Sequence, residues 1–243
     1  ALLNYGDINN WDVSAITDFS NLFEDQTTFN SDISNWDVSN GNDFSSMFKN
    51  SEEFDQDLRN WTINENALLT DMFNGADLIQ SNQGVGDTPS LYYFNPFPDK
   101  TTLQAAIDEW YYFGSTTTKK LYGDINTWDV SQITDFSGLF KDKTAFNSDI
   151  SNWDVSNGTS FDSMFKGATL FNQDIGNWNV SNSKTFNYMF SEASAFNQDI
   201  GSWDVGNATN FHAMFLCYGE SNFNQDISSW DVRSGTSFDS MFE

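Results

Sequence analysis

Aspartate stands four residues before a tryptophan eight times in this chain, at Asp7, Asp32, Asp57, Asp124, Asp149, Asp174, Asp199 and Asp226. A second series lies one residue after the tryptophan, at Asp12, Asp37, Asp129, Asp154, Asp204 and Asp231, relaxed to Thr62 and Asn179. Carboxylates repeated in register have two chemistries open to them. With amide carbonyls from neighbouring asparagine or glutamine they could ligate Ca²⁺ between repeats, and Asp149, Asp174, Asp199 and Asp226 form the candidate ladder. Otherwise each accepts backbone N–H groups in the turn before the tryptophan. The turn reading is the stronger, because the series lacks the bidentate glutamate and fixed glycine of a dedicated calcium loop. The companion series Asn30, Asn147, Asn172, Asn197 and Asn224 reads as an inward hydrogen-bond ladder rather than a ligand set.

Other reactive side chains are not arranged for catalysis. His212, the sole histidine, follows Phe211 in a repeat turn, and Cys217, the sole cysteine, sits in a two-residue insertion. Nothing in the spacing pairs them as base and nucleophile. Acidic residues are too abundant to single out a glycosidase pair, and neither a phosphate-cradling glycine loop nor a zinc spacing occurs. The expectation is a protein that is not an enzyme and has no cofactor, Ca²⁺ being the one ion considered.

These residues are positioned by a repeat. Trp11, Trp36 and Trp61 are 25 residues apart, as are Trp128, Trp153, Trp178 and Trp203; Trp230 follows after 27. Around each runs the phrase I-x-x-W-x-V, as in Ile150, Trp153 and Val155. It matches the strand phrase of leucine-rich repeats with tryptophan in the middle slot. A core position is therefore expected for each indole, rather than a sugar-stacking platform. The other half of each repeat places Phe161, Met164, Phe165 and Ala168 at helical offsets. The expected fold class is an α/β repeat solenoid, leucine-rich-repeat-like, with one short parallel strand and one short helical turn per 25-residue coil. Stacked coils would share one core that no coil could bury alone.

Composition bounds the partners. With 10 Lys+Arg against 35 Asp+Glu the formal charge is -25, which repels nucleic acid and anionic membrane. Aromatic residues make up 17% of the 243, too much apolar area for a disordered chain. No stretch has the length and hydropathy of a membrane span, so direct membrane insertion is not expected.

Two modules are expected. Residues 1–79 hold three repeats without an N-terminal cap, and residues 80–100 form a connector containing all three prolines. Residues 101–243 hold a capping helix at 101–113 and five repeats, the last truncated. In that helix Leu103, Ala106, Ile107 and Trp110 share one face, with Thr101 or Thr102 as N-cap. Residues 5–49 and 122–166 are identical at 36 of 45 positions, so the modules are copies, expected within a longer tandem array. The aromatics outside the repeat register, Tyr92, Tyr93, Phe94, Tyr111 and Tyr112, are the candidate contact surface.

LQAAIDEW, then YGDIN-x-WDVS, then repeated FN-x-DI-x-x-WDVS resembles the BspA-like bacterial surface-protein repeat. The resemblance implies a leucine-rich-repeat relative in an extracellular or cell-surface setting, with an architectural or adhesive role and no inherited catalytic residues. Partners would be neighbouring modules, copies of itself, or a surface protein or glycan. The rival expectations are a self-assembling extracellular filament subunit and a receptor-like solenoid that binds one protein or glycan.

Overall fold

The computed structural model describes residues 6–95, 97–113 and 121–243. Residues 1–5, 96 and 114–120, which the expected modules and connector include, lie outside it. The chain divides into two compact units, Ala1–Pro96 with Phe113–Asp124 and Phe97–Tyr112 with Ile125–Glu243. The helical elements among the described residues include α1 (Asp77–Gln83), α2 (Lys100–Phe113) and three single 3-10 turns.

The I-x-x-W phrase is a reverse turn and not the expected strand. In all eight repeats the tryptophan backbone N–H donates to the carbonyl three residues earlier, as Trp153 does to Ile150 at 3.2 Å. That carbonyl has a second lone pair, and the next repeat uses it. The indole N–H of Trp178 reaches the Ile150 carbonyl at 3.2 Å, and that of Trp203 reaches Ile175 at 3.1 Å. Trp36, Trp61, Trp153 and Trp230 make the same bond to Ile8, Ile33, Ile125 and Ile200. Phenylalanine would fill much of the same space but has no N–H to donate.

The β-type pairing falls instead where a helical turn was expected. Isolated parallel bridges join Asp135, Ser160, Thr185, Asn210 and Ser237 in unit 2, and Asp18, Asp43 and Leu68 in unit 1. From each bridge a ladder continues through the Phe-x-x-Met-Phe segment. Phe161, Ser163, Phe165 and Gly167 donate their N–H groups to the carbonyls of Thr185, Asn187, Met189 and Ser191 in the next repeat. The residues between them close local turns, Met164 to Phe161 and Lys166 to Ser163. Alternate donors thus serve the neighbour and the local turn.

A backbone that alternates in this way needs left-handed residues. Positive φ recurs at Asn21, Ser46, Asp71, Gly138, Ser163, Tyr188, Ala213 and Ser240, and again four residues on at Asp25, Asn50, Gly75, Asp142, Gly167 and Glu192. Four-residue turns bring Phe161, Met164 and Phe165 to one side, which is why their offsets read as helical. Asn, Asp and Gly suit these places, whereas Ser163 and Tyr188 are held there by the ladder against their preference.

The rings follow the ladder. In unit 2, Phe140, Phe165, Phe190, Phe215 and Phe242 form one column with centroid spacings of 5.4, 5.6, 5.7 and 5.4 Å. Phe136, Phe161, Phe186, Phe211 and Phe238 form a second, spaced 5.2 to 5.8 Å. Phe146, Phe171, Phe196 and Phe223 form a third, at 5.9 to 6.0 Å. Backbone ladders repeat at about 4.8 Å, so rings tied to one stack face to face with a small offset. Unit 1 has the same arrangement, for example Phe23–Phe48–Phe73 at 5.5 and 5.7 Å.

Each unit closes one end of its own stack. In unit 1 the last repeat donates from Phe73 to the Asp87 carbonyl and from Asp71 to the Thr88 hydroxyl. The Asn95 side chain accepts the Ile63 N–H and donates to the Ile63 carbonyl, standing in for a further strand. In unit 2, α2 lies on the first repeat with Leu103, Ala106, Ile107 and Trp110 buried. Its N-cap is Asp99, which accepts the Thr102 N–H at 2.8 Å, and not Thr101 or Thr102. A carboxylate is the stronger acceptor there and also complements the helix dipole.

Phe165 touches three other phenylalanines, so Phe165→Ala should lower unfolding free energy by about 3–5 kcal/mol, whereas Phe242→Ala at a 61% exposed ring should have a much smaller effect. Ser163→Gly should raise stability by about 1 kcal/mol by removing left-handed strain. Urea denaturation of the three variants checks both statements.

Candidate functional site

The acidic rows are turn acceptors. Asp149, Asp174, Asp199 and Asp226 each accept, at 2.9 Å, the backbone N–H two residues on, from Ser151, Gly176, Gly201 and Ser228. Asp7, Asp32 and Asp57 do the same. The second Asp149 oxygen takes the Asn126 side-chain amide at 2.8 Å. Among the described residues no three His, Cys, Asp or Glu side chains converge to hold a metal ion.

The second series behaves alike. Asp129, Asp154 and Asp204 accept the N–H groups of Ser131, Ser156 and Gly206, and Asn179 replaces aspartate with the same bond to Ser181. What the position requires is an acceptor; charge is incidental. A third set, Asp18, Asp43, Asp135 and Asn210, repeats the geometry at the bridges. Sequence reading missed this set because its spacing coincides with the supposed helical segment.

Hydrogen bonding sets the titration of these groups. Serine hydroxyl and backbone N–H donors hold Asp12, Asp18 and Asp37 below the usual carboxylate range. At Asp231 the Arg233 guanidinium is the largest cause and lowers the pKa to about 2.

The asparagine series is a ladder, set at the surface and not inward. The amide oxygen of Asn172 accepts the Asn197 N–H and the Gln198 side-chain amide, both at 2.9 Å. Asn30, Asn147 and Asn197 repeat this toward Asp55 and Gln56, Asn172 and Gln173, and Asn224 and Gln225. These side chains are exposed or half-buried.

The structure separates the five off-register aromatics. Tyr93 and Phe94 belong to the unit 1 core and offer no contact surface. Burial pushes the Tyr93 hydroxyl pKa well up, and the hydroxyl is bonded to Gln83. Tyr92 and Tyr111 are half-buried, and Tyr112 is 73% exposed. The latter two lie on α2, their rings 5.0 and 5.4 Å from the ammonium of Lys143.

His212 and Cys217 are not brought together as base and nucleophile. His212 Nε2 lies 2.9 Å from the Tyr188 hydroxyl. The Cys217 thiol faces Glu192 at 3.8 Å and lines a cavity of about 250 Å³ with Phe215, Phe223 and Phe242.

What these features define is a tandem repeat protein in which polar side chains serve the turns and aromatic ones the stack. The chain belongs to the family described as Mycoplasma protein of unknown function, DUF285, which matches residues 2–110, 109–219 and 216–243. No curated protein and no solved structure matches it.

Asp174→Asn should keep the melting temperature, because the acceptor survives, while Asp174→Ala should lower it; adding calcium or EDTA should move neither. Depressed carboxylate pKa values contribute stability that is present above the unfolded value of about 3.9. That contribution is lost as pH falls through the folded values, so the urea midpoint should drop between about pH 4 and pH 2. The Asp231 carboxyl should titrate at about 2 by NMR and move upward in Arg233→Ala.

Proposed function

We propose that the chain is part of a non-catalytic, extracellular or cell-surface repeat protein of the BspA-like kind. Its repeats build a leucine-rich-repeat-like solenoid within each unit, with the strand and turn segments exchanged relative to the sequence pattern. Its role is architectural and adhesive. The observation that carries the reading is the uniformity of the layer. Within each unit a further repeat supplies the same indole-to-carbonyl bond, the same four-bond ladder and the same three rings, except that Leu69 and Ile79 replace two of the rings in the third repeat, while the aspartates face outward in turns.

Such a design adds equivalent surface with each repeat and, among the described residues, gathers no unique polar constellation of the kind a catalytic centre requires. Many weak contacts along equivalent faces give avidity without one deep pocket. The partners proposed are neighbouring modules or a second copy, and a surface protein or glycan.

Protease shaving of intact source cells, followed by mass spectrometry, should release peptides of this chain. Beads coated densely with the protein should adhere to surface glycan or protein, while the free chain competes poorly. Recovery only from cell interiors, or one high-affinity ligand for the free chain, would contradict the proposal.

A further inference from the structure

The first repeats of the two units are copies, yet their outer faces differ in one respect. In unit 2, Trp128, Ile133 and Leu139 are 3%, 1% and 0% exposed. Their counterparts in unit 1, Trp11, Ile16 and Leu22, are 42%, 40% and 48% exposed. The next residues inward do not differ: Phe19 and Phe136 are both buried. What covers the unit 2 face is α2 together with Phe97 just before it, whose ring lies 5.2 Å from that of Trp128. Trp110 of α2 meets the Trp128 ring edge-on at 5.8 Å, and Gln104 donates to the Leu139 carbonyl at 3.0 Å. Lys100 pairs with Asp135 at 3.0 Å and also reaches the Ser137 hydroxyl.

The polar receivers are retained in unit 1. Asp18 and Ser20 stand where Asp135 and Ser137 do, and Leu22 supplies a carbonyl where Leu139 does. One receiver is changed: Gln26 replaces Lys143, whose ammonium pairs with Asp108 of α2 at 2.5 Å. We infer that the Trp11–Ile16–Leu22 face is a docking site for an amphipathic helix of α2's chemistry. Such a helix has a leucine-alanine-isoleucine-tryptophan stripe, a lysine in its first turn to meet Asp18, and no need of an acid opposite Gln26. A second copy's α2 is a poorer occupant, because it already covers its own first repeat and would have to leave it.

The test uses the full chain and a fluorescent peptide of the Lys100–Phe113 sequence. Anisotropy should report binding that weakens about tenfold or more in the chain variant Leu22→Glu. It should persist in Phe242→Glu, and with an Asp108→Asn peptide. Because a 14-residue helix is marginal alone, a second form carries residues 97–121 grafted ahead of Tyr5 in place of residues 1–4. Hydrogen exchange over residues 11–25 should slow about tenfold in the graft, and Leu22→Glu should abolish the gain. Peptide binding that survives Leu22→Glu, or unchanged exchange in the graft, overturns the inference. So does a dimer of the unmodified chain that Leu22→Glu dissolves, which would make the occupant a second copy.

Discussion

Six isoleucine carbonyls, those of Ile8, Ile33, Ile125, Ile150, Ile175 and Ile200, each carry two hydrogen bonds, one from the tryptophan N–H in their own repeat and one from the indole of the next. The first closes a turn and the second ties that turn to its neighbour, so local geometry and stacking register are fixed at one atom. A carbonyl oxygen has two lone pairs, and in a dry interior an unused one is a liability. With this bond in place, the Phe-x-x-Met-Phe ladder and its ring columns have only one alignment. A shift by a residue would face rings with turn aspartates.

That constraint accounts for the polar residues as well. A backbone made of consecutive turns has many N–H groups that neither helix nor sheet absorbs. Short acceptors two residues upstream take them up, which is why aspartate and asparagine recur at two places in nearly every repeat and at a third in half of them. The acidity of the chain is in large part a by-product of turn closure. Ion pairs such as Lys49–Glu24 and Lys100–Asp135 are exposed or half-exposed and add little to stability.

Much of the arrangement was legible in the sequence, though under the wrong labels. The 25-residue ruler, the inward tryptophans and the apolar stripe of α2 follow directly from spacing. The assignment of strand to I-x-x-W-x-V and helical turn to Phe-x-x-Met-Phe did not survive, because both patterns arise from turns of four residues. Periodicity cannot tell a helical i, i+3, i+4 from a succession of turns that puts the same residues on one side. The left-handed positions were a signal available beforehand: Asn21, Asp25, Asn50 and Asp71 fall within the supposed helical segment, where helix formers would be expected. Tyr93 and Phe94 were misread for a different reason, since nothing in their spacing reveals that residues 85–95 close the end of unit 1.

The indole hydrogens offer the most direct test of the shared carbonyl. In ¹⁵N NMR hydrogen-exchange measurements, the Nε1–H groups of Trp61, Trp153, Trp178 and Trp203 should exchange only as fast as their units unfold globally. Their protection should fall in parallel with stability as urea is added. Exchange of these hydrogens within the dead time under native conditions would mean the indoles are not bonded across repeats, and the account of the stack would fail.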